Sequence, residues 1–377
     1  MTGSSQVDTN SESGAGTTQS TSNRRAFLGA VGTASATALA GCSSIMGGDG
    51  GPPTLRVTAW SGNYGERFEK AIRPIFEERF DAELQINFGW SEILSKIKSA
   101  PKDDPPFDVT ITAEPLYFNG RNQNLFEEIR YEENVPNYEE VMPFFKDVRP
   151  PKYGAPVDGA PLATLYRDDL AEPVDEWTDF TSEFVQNSNG VGVDSGFWIF
   201  PLMAAAVGTD AAPGAGELYN EDQHEAVIDT LEEWPIEGWA ASGTDIWQQF
   251  DDETIDAAQW YVDQVWYDVD SHEGISMGVP ENNPGYLDNW AVVRGTDNRQ
   301  LGEEFINMLL DAEVQSKWSE ESALFFTNKN TEYAGDLGDV MPTNNEEASK
   351  LTLPQWDELA DHASKFSDQF KEMKTQG

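Results

Sequence analysis

The chain has 377 residues, too many for one ordinary hydrophobic core, and its twelve tryptophans and twenty phenylalanines supply apolar mass enough for two folded units. Its 67 acidic residues against 24 basic ones give a formal net charge of −43, spread along the chain rather than gathered in a tail. That balance excludes nucleic acid and an anionic membrane surface as partners, because both are held by basic patches.

Diffuse acidity on this scale resembles that of halophilic archaeal proteins, whose charged surfaces stay soluble in concentrated salt. At about 1 M salt the Debye length is only about 3 Å, so any charge preference for a ligand must come from contacts inside a dehydrated site. The single cysteine, Cys42, excludes an internal disulfide. His224, His272 and His362 lie far apart and match no metal-ligand spacing. No metal or cofactor is expected.

The N-terminal residues 1–21 are rich in Ser, Thr and Gly. Arg24 and Arg25 then precede the apolar pair Phe27-Leu28, which resembles a twin-arginine export signal. The apolar stretch Ala26 to Ala40 is too short and too weakly apolar to span a membrane. It ends in Leu39-Ala40-Gly41-Cys42, which resembles a lipobox. Residues 1–41 therefore read as a signal peptide, Cys42 as the lipidated residue, and 42–53 as a flexible tether.

Leu55, Val57 and Ala59 alternate with polar residues as in a strand. A helix follows from Asn63, with Phe68, Ile72, Ile75 and Phe76 on one face. Leu84, Ile86 and Phe88 mark a second strand, Ile93, Leu94 and Ile97 a short helix, and Phe107 to Thr112 a third strand. Leu125-Phe126 starts a return element. Strands alternating with helices predict an α/β unit on a mainly parallel sheet. Farther on, Val191 to Asp194 reads as a strand, Leu202 to Val207 as a helix, 301–321 as the clearest helix of the chain, and Leu353 to Met373 as a last amphipathic helix.

No catalytic constellation is present in the sequence. Gly192-Val193-Asp194-Ser195-Gly196 has the wrong spacing for a nucleophile elbow, and there is neither a phosphate loop nor a dinucleotide fingerprint. With the export signal this points to a binding protein rather than an enzyme.

Several stretches resemble the extracellular solute-binding proteins of ABC importers, with the greatest similarity to the spermidine/putrescine-binding branch. They are Leu55-Arg56-Val57-Thr58-Ala59-Trp60-Ser61, Phe107 to Ile111, Tyr153-Gly154-Ala155-Pro156 with Leu165-Tyr166, Pro173 and Trp177, Tyr286 to Val292, and the helical run Phe305 to Trp318. The resemblance covers most of 55–373. It implies an α/β, two-lobed periplasmic-binding-protein fold of type II, with a ligand cleft between the lobes. Residues 54–163 plus 287–330 would form lobe 1, and 164–286 plus 331–377 lobe 2. The implied partners are a small-molecule ligand and an ABC permease. The membrane would be engaged only through the lipid anchor, and the protein is expected to be a monomer at the outer face of the cytoplasmic membrane.

Polyamine binders hold the ligand's alkyl chain in an aromatic box and its ammonium ends on carboxylates. The resemblance carries ligand-binding roles onto Trp60, Ser61, Asp194, Tyr286 and Asp288, with Trp260 near a further aromatic of the family and Trp198 adding aromatic character. The departures are Ala113 and Pro115, where the family has a serine and a tyrosine, and Phe197, where it has a second carboxylate. These thin the ammonium-binding set, so putrescine, spermidine and thiamine are all admitted as ligands. Other ligands of the same fold (ferric ion or an anion), a secreted hydrolase and an adhesion protein are the alternatives. The absence of a paired-tyrosine iron motif, the acid Asp288 and the missing nucleophile motif weigh against them.

Overall fold

The computed structural model describes residues 52–208 and 218–376. Arg24, Arg25 and Cys42 lie outside the described residues.

Among the described residues ten strands join in one sheet: β1 (Thr54–Trp60), β2 (Glu83–Gly89), β3 (Val109–Thr112), β4 (Ala155–Arg167), β5 (Val191–Asp194), β6 (Ile236–Ala240), β7 (Ala257–Tyr261), β8 (Ile275–Gly278), β9 (Gly285–Val292) and β10 (Phe325–Phe326). The main order is β2-β1-β3-β9-β4-β7-β5-β6, with β8 and β10 both pairing β4. At either end the pairs are parallel, β2 and β3 on β1, and β6 and β7 on β5. In the middle they are antiparallel: β9 runs against β3 and β4, and β4 against β7 and β8. The sheet is therefore less parallel than the strand–helix alternation suggests. β4 and β9 are long crossings that run out and back through the centre, and two opposed crossings pair antiparallel.

β4 spans 13 residues, and its first 11 are buried. A strand covered on both faces loses polar–apolar alternation, as its run Ala155 to Leu165 shows. The helix Asn63–Phe80 packs its buried Phe68, Ile72 and Phe76 stripe against the sheet, leaving Pro74 on the outer side. Beneath β9, Trp290 stacks on Phe68 at 5.0 Å and meets Phe305 edge-on at 5.6 Å.

Three elements differ from the sequence expectation. The helical run 301–321 is two helices, Arg299–Leu309 and Ala312–Ser319. Asp311 breaks it, its side chain accepting the Glu313 amide as the cap of the second helix. The C-terminal run is divided into Trp356–Leu359 and Ala363–Gln376. The return element expected at Leu125-Phe126 is reduced to an isolated antiparallel bridge of Phe126 to Val293. Among the described residues no helix is long and apolar enough to cross a membrane.

Candidate functional site

The pairing of β4 with β9 sets Asp158 directly opposite Asp288. Both are fully buried. Two carboxylates at facing positions of an antiparallel pair repel one another unless a proton or a cation lies between them. The backbone can hold this register because position 159 is glycine: a Cβ there would stand 2.1 Å from the Tyr286 carbonyl oxygen and 2.5 Å from the Phe325 ring.

Donors converge on the pair from the first strand and helix. The Trp60 indole Nε1, at the end of β1, donates to Asp288 Oδ1 at 2.9 Å. The Tyr64 hydroxyl, in the first turn of the following helix, donates to Asp158 Oδ2 at 2.9 Å, and Trp290 Nε1 donates to Asp158 Oδ1 at 3.3 Å. A third buried acid, Asp263, follows β7; Gln264 Nε2 donates to its Oδ2 at 2.5 Å and the Tyr286 hydroxyl is directed at it.

Burial pushes all three acids up. Asp263 rises to about 6. Asp158 and Asp288 both rise, Asp288 the more, because burial is reinforced by the charge of Asp158 beside it. The two titrate as a coupled pair, each holding its proton more readily than a free aspartate because of burial and, for Asp288, also the facing acid. Tyr64 and Tyr286 are raised by the same burial and the same acids, so both stay neutral donors.

Among the described residues, four other enclosed acids are neutralised by arginine, and buried Asp194 is held instead by backbone amides and the Tyr261 hydroxyl. Asp108 pairs with Arg56 at 2.8 Å, Glu303 with Arg130 at 2.6 Å and Arg299 at 3.2 Å, Asp256 with Arg167 at 3.0 Å, and Glu114 with Arg149 at 2.5 Å. At Asp158 and Asp288 the ionic influences are those of other acids. Arg67 comes close to Asp263, but its guanidinium donates at 2.8 Å to the backbone carbonyl, not the carboxylate.

The structure brings Trp60, Tyr286 and Asp288 together with Asp158, Asp263 and Tyr64. Ser61 lies next to Trp60, partly exposed, its amide donating to the Gly89 carbonyl at 3.3 Å. Asp194, at the end of β5, accepts the Gly196 and Phe197 amides at 2.6 and 3.2 Å and the Tyr261 hydroxyl. It thus closes the loop after its strand, and it reaches the acid cluster only through Tyr261, whose ring lies 6.1 Å from that of Tyr286. Trp260 is buried beside Tyr261 at 5.4 Å, its indole N–H without a protein partner. Trp198 lies in a different environment, against Phe366 and Trp356 at 5.9 Å each, where it anchors the C-terminal helices. Asp158, Asp263 and Tyr64 are the additions the sequence reading misses. The available signal for Asp158 is one acid within the apolar run from Ala155 to Leu165.

Residues 71–363 match the family model described as bacterial extracellular solute-binding protein. No curated protein matches the sequence. Among solved structures, an ABC transporter protein of Clostridium perfringens superposes with a TM-score of 0.70 at 17% identity, over 85% of this chain and 99% of that one. An extracellular solute-binding protein of Bordetella parapertussis gives 0.71 at 20% identity, over 85% and 98%. The spermidine/putrescine substrate-binding protein PotD of Streptococcus pneumoniae gives 0.71 at 17%, over 86% and 99%. These proteins share the type II periplasmic-binding-protein fold, as do the mixed sheet and its two central crossings here. The chain belongs to the bacterial extracellular solute-binding proteins, the family that binds small molecules and delivers them to ABC permeases.

Proposed function

We propose that this solute-binding protein captures a small organic cation of the diamine or polyamine kind, with the cation held by Asp288, Asp158 and Asp263 and flanked by Trp60 and Tyr286. The observation that carries this reading is the contrast among buried acids. Four are matched by arginine and Asp194 by backbone amides, while Asp158 and Asp288 face one another across the strands with neutral donors only, and Asp263 keeps a buried oxygen without a partner. A buried carboxylate without a counter-charge is costly, and an entering ammonium removes that cost. Aromatic faces replace the cation's lost hydration, each worth about 0.5–2 kcal/mol.

The acids are enclosed, so the ligand reaches them by an opening of the two lobes about the β4 and β9 crossings, and its contacts favour reclosure. Lobe 1 consists of 54–163 with 287–330, and lobe 2 of 164–286 with 331–377. Asp194 and Trp260 line the lobe 2 side of the path. The twin arginines Arg24-Arg25 direct export, and Cys42 carries the lipid anchor of a halophile's surface protein.

The test is calorimetry in concentrated salt with putrescine, spermidine, thiamine, a neutral sugar, ferric citrate and acetate. The organic cations should bind most tightly, and Asp288→Asn should weaken them by at least ~1.5 kcal/mol, the lower end for a charged hydrogen bond. Preferential binding of a sugar or an anion, unaffected by Asp288→Asn, overturns the cation reading and leaves the family assignment standing.

A further inference from the structure

The loop after β3 and the segment before β4 enclose a hollow lined by Glu114, Tyr117, Phe118, Arg121, Arg149 and the C-terminal Asp357. Two ion pairs cross it. Arg121 pairs with Asp357, and Arg149 Nη2 meets Glu114 Oε1 at 2.5 Å. The second pair is buried, each side chain being 6% exposed.

An arginine and a carboxylate meet best through two parallel contacts. Here only one is made. The Arg149 Nε–H and Glu114 Oε2 are both buried without a protein partner, although the rest of the guanidinium donates to the Val148 and Pro354 carbonyls at 2.8 and 3.2 Å. Buried polar atoms are nearly always partnered, so a free donor and a free acceptor on the two members of one ion pair mark a place for a group that offers both complements. The wall is aromatic: the Arg121 and Arg149 guanidiniums each stand 5.9 Å from the Tyr117 ring, and Arg121 stands 5.4 Å from Phe118.

We propose that this hollow is a second binding site, for a small molecule carrying a carboxylate beside an ammonium, the α-amino-acid arrangement. The carboxylate accepts from Arg149 Nε, the ammonium donates to Glu114 Oε2, and an apolar side chain lies on Phe118. A carboxylate alone would be repelled by Glu114, and an amine alone would leave Arg149 unmet. The site stands independently of the cation reading, since it shares no residue with the Asp158, Asp263 and Asp288 cluster.

The probes are L-valine, glycine, acetate and ethylamine, added to the full chain in concentrated salt and followed by calorimetry and saturation-transfer NMR. L-Valine should bind saturably, and acetate and ethylamine about tenfold more weakly or worse, the scale of one charged hydrogen bond. Arg149→Lys, which keeps the charge and loses Nε, should weaken L-valine to a similar degree. Because that residue sits in a buried ion pair, Phe118→Ala serves as a second variant. It leaves the pair intact and should reduce L-valine binding more than glycine binding. The proposal is overturned if no amino acid binds, as expected if a water bridges the two atoms. It is overturned equally if L-valine binding survives both variants, or if putrescine displaces L-valine.

Discussion

At the residue scale, the acid cluster works against the fold that contains it. Asp158, Asp263 and Asp288 take up protons more readily in the folded chain than in the unfolded one, because burial raises them all. Between the ordinary aspartate range near pH 4 and about pH 6 and above, the folded state therefore holds more protons, and stability falls as the pH rises through that window. The ligand-free protein in concentrated KCl should melt at a lower temperature at about pH 8 than at about pH 5, and Asp263→Asn should flatten the profile; a Tm that rises between those values contradicts the account. Asp288→Asn should raise the Tm at about pH 8 while weakening cation binding, the opposite signs expected where buried like charges serve a ligand. A purely structural Asp288 would lose stability instead. Trp60, Tyr286 and Asp288 were reached from the sequence because they fall in the stretches that carry the resemblance to solute-binding proteins. Asp158 and Asp263 were not: a lone acid in an apolar run has no periodic signature, and only the strand register shows that it faces Asp288. Trp198 was misleading for a related reason. Its neighbours Trp356 and Phe366 lie far along the chain, and no local pattern shows that its ring packs against them.

At the scale of elements, the first two strands and the first helix follow directly from alternation and the i, i+4 stripe, whereas the long helices and the fully buried strands do not. The stripe from Phe305 to Trp318 continues in phase across Leu310 and Asp311, so periodicity alone hides the break. The hydrogen bond that makes it, from the Glu313 amide to Asp311, is a side-chain event. The same holds for the centre of the sheet, where pairing direction depends on which strands cross and not on their composition. The β4–β9 register rests on Gly159, so Gly159→Ala tests it. Its new methyl would press on the Tyr286 carbonyl and the Phe325 ring, one of them rigid backbone. Overpacking of this kind costs about 1–3 kcal/mol or more. Chemical denaturation in concentrated salt should show a loss in that range, with cation binding weakened as Asp158 and Asp288 move out of line. Unchanged stability would mean that the strands separate freely at this point.

At the scale of the whole molecule, two kinds of acid must be kept apart, those on the surface and those inside. The formal net charge of −43 counts both sets together. Cys42→Ser should release the protein into the medium, as read by fractionation; retention in the membrane fraction would remove the anchor proposal. The same surface should make folding depend on salt. At about 0.1 M the Debye length is about 10 Å, so neighbouring carboxylates repel, whereas at about 1 M it is about 3 Å and they barely interact. Compact structure should therefore be lost below about 1 M KCl, seen as a falling melting temperature in calorimetry and a fading near-ultraviolet circular dichroism signal. A cooperative transition as high in dilute buffer as in concentrated salt would contradict this. The inner set should behave differently. Asp158, Asp263 and Asp288 are out of contact with solvent, and ions in the medium screen buried pairs far less than exposed ones. Once the salt suffices to keep the chain folded, further KCl should change putrescine affinity little, while the melting temperature continues to climb. If affinity instead falls steeply with each increment of salt, the cation is being held by the diffuse surface, and the buried carboxylates are not its site.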